Sequence, residues 1–333
     1  MKAIVYTDYG SPDVLHIKEV EKPTPKDNEV LVKIHAAHIN FGDTLARNFK
    51  RITPRTFSMP MPLWIMTRIL MGIRKPNRQI LGSEFSGVVE SIGKDVTSFK
   101  PGDAVFGYRA MNFGTNAEYV CMAEGSLILG LPSNMSYEEA AATPYGALTA
   151  LNLVRRMNIQ PGQKVLINGA SGSIGSYAVQ LAKHFGAEVT GVCGTGRMEM
   201  VKSLGTDYVI DYSKEDFTKN GKTYDVIFDV LNKGSFAKFK NSLTPTGKYF
   251  LASFKFKQLF QMLWTSFGKG KKVICALSSE KHDDLVHIRE LAESGTIKTI
   301  VDKTYPMEQA AEAHWYLESG KHKGNVVLTM VSS

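Results

Sequence analysis

The sequence predicts an α/β protein with two parts: a doubly wound parallel-sheet domain and a smaller, mostly antiparallel, β-barrel-like domain. Three observations carry this. Lys164-Val-Leu-Ile-Asn168 runs as a strand straight into Gly-Ala-Ser-Gly-Ser-Ile-Gly at 169–175, and a helix pattern follows with Ile174, Ala178, Leu181, Ala182 and Phe185 on one face. Further β-rich runs centre on Val189, Tyr208, Val226, Tyr249 and Val273 at helix-length intervals, so six runs alternate with helices. Before residue 126 the chain reads as many short strands broken by turn residues.

In chain order, Ile4–Thr7, Leu15–Val20 and Val30–His35 are strands separated by Gly10-Ser-Pro12 and Pro23-Thr-Pro25. Phe85–Ser91, the segment Lys100-Pro-Gly-Asp-Ala-Val-Phe106 and Ala117–Met122 complete the first part. Beyond the sixth parallel run, residues 278–333 predict helices near Asp283–Ser294 and Met307–Ser319, with Val326–Val331 as a closing strand. This tail is expected to return to the first part. Residues 1–126 and 278–333 then form one domain, and 127–277 an inserted cofactor domain. There is no internal repeat and no low-complexity tract.

A chain of 333 residues can fill the cores of two such domains, and 43% hydrophobic with 22% charged residues is ordinary for a globular protein. Cys121, Cys193 and Cys275 lie too far apart for a metal cluster or a disulfide framework, which fits a reducing compartment. The amino terminus begins as a strand, and no apolar run reaches the roughly 20 residues that span a bilayer. The cytoplasm is the expected location. The net charge of +8 is unevenly placed: eight Arg or Lys and no acid lie between Asp43 and Glu84, and nine Lys and no acid between Asp229 and Glu280. Such windows attract an anionic cofactor, an anionic substrate or a phospholipid surface. No nucleic-acid motif accompanies the charge, so nucleic acid is not an expected partner.

The glycine turn marks a dinucleotide site. Gly172, Ser173, Ile174 and Gly175 bring backbone close to a pyrophosphate that faces the helix amino terminus. Which dinucleotide is read at the end of the second strand, Glu188–Cys193. A carboxylate there would select NAD, but no acid falls between Glu188 and Glu199. Thr195 and Arg197 follow instead, and a guanidinium fork matches phosphate oxygens. Tyr212, after the third strand, closes the same pocket. NADPH is therefore expected over NADH, the alternative being that Arg197 simply begins the next helix in solvent.

Taken together, Ile39-Asn-Phe-Gly-Asp43, Leu81-Gly-Ser-Glu-Phe-Ser-Gly-Val-Val89, Lys100-Pro-Gly-Asp-Ala-Val105, Glu138-Glu-Ala-Ala-Ala-Thr-Pro144, Lys164–Gly175 and Gly324-Asn-Val-Val-Leu328 resemble the medium-chain dehydrogenase/reductase superfamily. The match lies in its zinc-independent, quinone oxidoreductase-like (zeta-crystallin-like) branch and runs nearly end to end. The resemblance implies a GroES-like catalytic domain, a Rossmann domain, an active-site cleft between them, NADPH as reductant, and a homodimer formed near Val273–Leu277. Zinc alcohol dehydrogenases resemble this chain around Gly82-Ser83-Glu84, but carry a histidine ligand where Ser83 stands. Their cysteine ligands are missing from Ile39–Asp43 and Pro144–Gly146, and 107–117 contains no cysteine. Zinc needs about four converging ligands, so no metal is expected, His35 and His38 included.

Without a Lewis-acid metal, hydride transfer to a polarised acceptor is the easier reaction: a quinone, or the β-carbon of an α,β-unsaturated carbonyl (an enone). The resemblance puts Asn40 near the nicotinamide and the substrate oxygen, where it would donate to developing negative charge; alternatively it caps local backbone. It also implies that Thr149 lines the nicotinamide pocket and that Val230 and Ser253 follow the cofactor-facing ends of strands four and five. Asp43 is expected to hold its loop. No tyrosine stands in Arg47–Arg51, where relatives often place a proton donor, which leaves Tyr145 or solvent. The family's Gly-Lys before the last strand is Gly324-Asn325 here. A zinc-free NADP-dependent alcohol or carbonyl dehydrogenase, and an NADPH-binding protein with little turnover, remain alternatives.

Two segments stand apart. From Leu63, the stretch Met59–Lys75 reads as a helix with Trp64, Ile65, Ile69 and Ile73 on its apolar side and Arg68, Arg74 and Lys75 free to reach solvent. Phe254–Phe267 is a comparable apolar and basic segment. Either both pack as core or as a lid over the cleft, or they form a peripheral surface that docks on anionic membrane.

Overall fold

The computed structural model describes residues 1–57 and 59–330. The first unit contains β1 (Lys2–Val5), β2 (His16–Glu19), β3 (Glu29–Ile39), α1 (Phe41–Arg47), α2 (Met61–Met71), β4 (Glu84–Ile92), β5 (Ala104–Tyr108), β6 (Tyr119–Ala123) and β7 (Ile128–Gly130). After α3 (Tyr137–Ala141) and α4 (Pro144–Met157) come β8 (Lys164–Asn168), α5 (Ser173–His184), β9 (Glu188–Cys193), α6 (Met198–Ser203), β10 (Tyr208–Asp211) and β11 (Tyr224–Asp229). Then follow α7 (Phe236–Phe239), β12 (Leu243–Leu251), α8 (Phe256–Ser266), β13 (Lys272–Cys275), α9 (His282–Glu293), β14 (Val301–Pro306), α10 (Ala310–Glu318) and β15 (Asn325–Thr329).

The second sheet has six parallel strands in the order β10-β9-β8-β11-β12-β13. The interior of β8, Val165–Ile167, is fully buried, as a strand covered on both faces must be. The order reverses between β8 and β11, and the crevice beyond that switch point is where a doubly wound sheet binds its ligand. The crossover from β10 to β11 contains no helix, so the alternation expected from the sequence fails there.

The first sheet has seven strands, running β14-β15-β3-β4-β5-β7 with β6 paired to β3, and β14 and β15 come from the tail. Both domain edges read from the sequence shift. β7 pairs with β5, so this sheet extends past residue 126. Leu285, Ile288 and Leu291 of α9 join the core built on α4 and α5, past residue 278. Val331, the last residue of the expected closing strand, lies outside the described residues. No described helix is long and apolar enough to cross a membrane.

Local chemistry fixes the elements that frame the site. Asn40 caps α1: its side chain accepts from Asp43 N while Asp43 accepts from Asn40 N, a reciprocal capping box. Ser136 and Glu139 do the same for α3. α4 starts on Pro144 and stops at Asn158, whose φ of 51° is the left-handed geometry Asn tolerates.

Two residues of α2 depart from the sequence reading, while Arg74 and Lys75 reach solvent as expected. Trp64 turns inward and donates its indole N–H to Ile52 O, and the Arg68 guanidinium lies over the rings of Tyr9 and Phe49. Ile65, Met66, Ile69 and Leu70 are left in solvent. Neither segment packs wholly as core: α2 buries only Met71, and α8 buries no residue, although Phe254 just before it is buried.

Candidate active site

At the switch point, Val230 N donates to Asn168 O at 3.2 Å and Asn168 Nδ2 to Asp229 Oδ1 at 2.9 Å, fixing the ends of β8 and β11 against each other. The turn after β8 requires its glycines. Gly169 has φ of +96°, and a Cβ on Gly175 would stand 2.0 Å from Gly169 O. Strand and helix are therefore closer than any side chain allows. The N–H groups of Ser173, Ile174 and Gly175 have no acceptor among the described residues. They are the open donors of the α5 amino terminus, where the helix dipole favours an anion.

Two hydroxyls beside them, Ser173 Oγ and Thr149 Oγ1, are buried without a partner. Both flank the contact between α4 and α5, where a Cβ on Gly146 would meet Ser173 Oγ at 2.4 Å. Buried hydroxyls are rarely left unpaired, so open donors and orphaned hydroxyls together fit a pyrophosphate-bearing dinucleotide. Ser253 lies two residues beyond β12 and is half-buried.

Thr195, Arg197 and Tyr212 gather past the end of β9. A Cβ on Gly194 would lie 3.3 Å from the Tyr212 hydroxyl. Arg197 is not a free start to the next helix. Its Nε donates to His322 O at 2.8 Å, it donates to Gly320 O, and its NH1 is 3.5 Å from Ser171 Oγ. The guanidinium thus ties the glycine turn to the loop before β15.

The sequence reading that no carboxylate enters this corner is corrected by Asp211. The parallel register sets Asp211 beside Cys193, so the acid arrives from the third strand. It accepts from Thr195 Oγ1 at 2.5 Å and from Ser213 N and Oγ at 3.0 and 2.7 Å, contacts that hold its carboxyl below the usual range. The Thr195 hydroxyl hydrogen is therefore already used, which leaves Arg197 as the cationic group beside the turn.

Where the two units meet, Glu84 is fully buried at the start of β4. Its Oε2 pairs with His38 Nδ1 at 2.6 Å and accepts from Asn40 Nδ2 at 3.0 Å, while Oε1 accepts from Tyr145 N at 2.7 Å. Asn40 Nδ2 also donates to Ser83 Oγ at 2.9 Å. An amide carries two hydrogens, and both are taken, so the geometry supports the capping alternative for Asn40 over donation to a substrate. Asp43 accepts from Asn40 N and Gly82 N, each at 2.9 Å, and burial pushes its pKa up to about 6.

Tyr145 is half-buried with its ring 6.2 Å from that of Tyr108. Burial, with Glu84 and Glu280 adding to it, pushes its phenol up to about 12. A phenol so raised stays protonated and able to donate. His35 packs at a tilt against the Tyr137 ring, 4.3 Å between centroids, while His38 pairs with Glu84, so the two histidines do not converge. No three His, Cys, Asp or Glu among the described residues converge on a metal position. The sequence reading missed Glu84 and His38 as partners. The available signal was an acid inside the apolar run Leu81–Val89, which burial obliges to find donors.

A six-stranded nucleotide-binding sheet, facing a β-rich unit across a junction lined by Glu84 and Tyr145, defines a two-domain protein of the dehydrogenase type. The family model described as alcohol dehydrogenase GroES-like domain matches residues 26–152, and the one described as zinc-binding dehydrogenase matches 204–328. The chain is 32% identical to 2-methylene-furan-3-one reductase of Solanum lycopersicum, over 98% of this chain and 79% of that one. It is 30% identical to the chloroplastic NADPH-dependent alkenal/one oxidoreductase of Arabidopsis thaliana, with the same coverage of each. Among solved structures, the quinone oxidoreductase from Coxiella burnetii superposes with a TM-score of 0.82 at 25% identity, covering 99% of both chains. The chain belongs to the medium-chain dehydrogenase/reductase superfamily, in its quinone oxidoreductase-like branch.

Proposed function

We propose that this chain is an NADPH-dependent reductase that transfers hydride to a quinone or to the β-carbon of an α,β-unsaturated carbonyl. The observation that carries the reading is the cradle at the start of α5, where open N–H groups adjoin the orphaned hydroxyls of Ser173 and Thr149. The names of the tomato and Arabidopsis relatives specify reduction of conjugated carbonyls, and the second names the cofactor as NADPH.

When bound, NADPH supplies the hydride. The open backbone donors of Ser173, Ile174 and Gly175 would hold the pyrophosphate, with Gly172, whose N–H is bonded to Gly169 O, shaping the turn beside it. Arg197, with Thr195 and Tyr212 around it, meets the ribose phosphate. Thr149, Val230 and Ser253 would line the nicotinamide end, Val230 standing at the β8–β11 switch point. Hydride adds to the acceptor's β-carbon, the π pair of the C=C bond shifts so that charge develops on the carbonyl oxygen as an enolate, and a proton from solvent at the α-carbon completes the product. Tyr145 donates a hydrogen bond to that oxygen, as a phenol held neutral by burial. Asn40 acts one step back: it holds Glu84, and Glu84 holds the backbone of Tyr145. The sequence features read for a cytoplasmic protein and for self-association along Val273–Leu277 stand as part of this proposal; β13 is the edge strand of its sheet, with its N–H groups at Val273 and Cys275 bonded to α8.

A steady-state panel tests the proposal. NADPH oxidation dependent on 1,4-quinones or enones is the expected outcome. Alcohol-dependent reduction of NADP⁺ without quinone or enone turnover contradicts it, as does tight NADPH binding with no turnover on any acceptor.

A further inference from the structure

The outward faces of α2 and α8 are apolar where a soluble surface is normally polar. On α8, Phe256, Phe260, Leu263, Trp264 and Phe267 recur at helical spacing and are 47, 70, 56, 84 and 83% exposed. On α2, Met61, Ile65, Met66, Ile69 and Leu70 form a second stripe, each between 45 and 60% exposed. The inner sides are fully used. Trp64, Arg68 and Met71 anchor α2, while on α8 Met262 Sδ accepts from Cys275 N and Thr265 Oγ1 from Val273 N. Neither helix can therefore roll over to hide its stripe. Lys255 at the start of α8 donates to Arg55 O in the loop before α2, so the two segments are joined. Apolar stripes of this size mark a docking surface.

The charge around them selects the occupant. Arg51, Arg55, Arg74 and Lys75 flank α2 and are exposed, as are Lys257 and Lys269 around α8. No acid occurs from residue 44 to 83 or from 230 to 279. A second copy docking through the same face would bring two basic windows together, and the acid beside them, Asp8, already lies 4.0 Å from Lys75. An anionic lipid surface supplies both an apolar layer for the aromatic side chains and the opposite charge.

We infer that α2 and α8 form a membrane-docking face that seats the protein peripherally on anionic phospholipid. The inference stands independently of the acceptor reduced.

Co-sedimentation with vesicles of phosphatidylcholine, with and without added phosphatidylserine, tests this. Binding is expected only to the anionic vesicles, to fall as salt rises, and to drop at least about tenfold in Phe260→Ser/Trp264→Ser and in Ile69→Ser/Leu70→Ser. The fluorescence of Trp264 is expected to shift to the blue on binding, with Trp264→Phe removing the shift. Quinone or enone reduction in solution is expected to be unchanged in these variants, which shows them folded. The inference is overturned if the wild-type protein stays in the supernatant with anionic vesicles at low salt, or binds neutral vesicles equally well. It is also overturned if the serine variants change only the protein's oligomeric mass and not its vesicle binding.

Discussion

Glu84 and Tyr145 join the two units of the protein through one hydrogen bond: the carboxylate at the head of β4 accepts the backbone N–H in the first turn of α4 at 2.7 Å. With His38 and Asn40 on its other oxygen, the buried carboxylate has three protein donors, and it places the Tyr145 side chain relative to the junction.

Glu84→Gln replaces one accepting oxygen with an amide that must face a donor. One buried donor is then left unpaired, which costs about 1–3 kcal/mol. Chemical denaturation is expected to show that loss, and kcat with an enone to fall more than KM changes. Unchanged stability and turnover would show that the contacts are incidental.

Arg197→Ala is expected to weaken NADPH binding by about 1.5–3 kcal/mol, the range for a hydrogen bond to a charged group, and to leave NADH almost unaffected. The variant also frees the carbonyls of Gly320 and His322, so a modest drop in Tm accompanies it. Titrations with both cofactors separate the effects. Equal losses for the two would mean that Arg197 only secures the loop before β15.

Asp43 gives a pH signature. Its folded pKa of about 6 lies above the ordinary 3.8, so the folded state holds this proton more tightly than the unfolded chain. The resulting stabilisation is fully present below about pH 4 and is lost as pH rises through about 6, with a slope of up to ~1.4 kcal/mol per pH unit. Urea denaturation across that window is expected to show the stability gap between the wild type and Asp43→Asn shrinking as pH rises. A constant gap contradicts the assignment.

The parallel strands were legible because burial on both faces leaves nearly continuous apolar runs; β8 and β9 have the bounds read from the sequence. β7 has only three residues, too few to display a period. α4 hides for the opposite reason: ten of its fourteen residues are buried, so no polar stripe alternates with an apolar one. The inward turn of Trp64 and Arg68 in α2 depends on Ile52, Tyr9 and Phe49, partners that spacing within the helix does not show. The Glu84 hub and the Asp211 corner depend on partners brought together from distant strands, and spacing along the chain carries no trace of them.

Metal chemistry is testable on the donor set. Ser83 stands where zinc relatives carry a histidine, and the oxygens of Glu84 are filled by protein donors. Treatment with 1,10-phenanthroline is expected to leave activity intact. Stoichiometric zinc whose removal abolishes activity would give this chain the role named in the description of the matching 204–328 family model.

Hydride transfer to the β-carbon of a conjugated carbonyl leaves an isotopic record in the product. NADPH carrying deuterium at the transferable C4 position, incubated with the protein and an enone, tests it directly by mass spectrometry and NMR of the product. One deuterium at the β-carbon of a saturated ketone is the predicted result. Deuterium on the carbonyl carbon of an allylic alcohol, or a product without label, would contradict it.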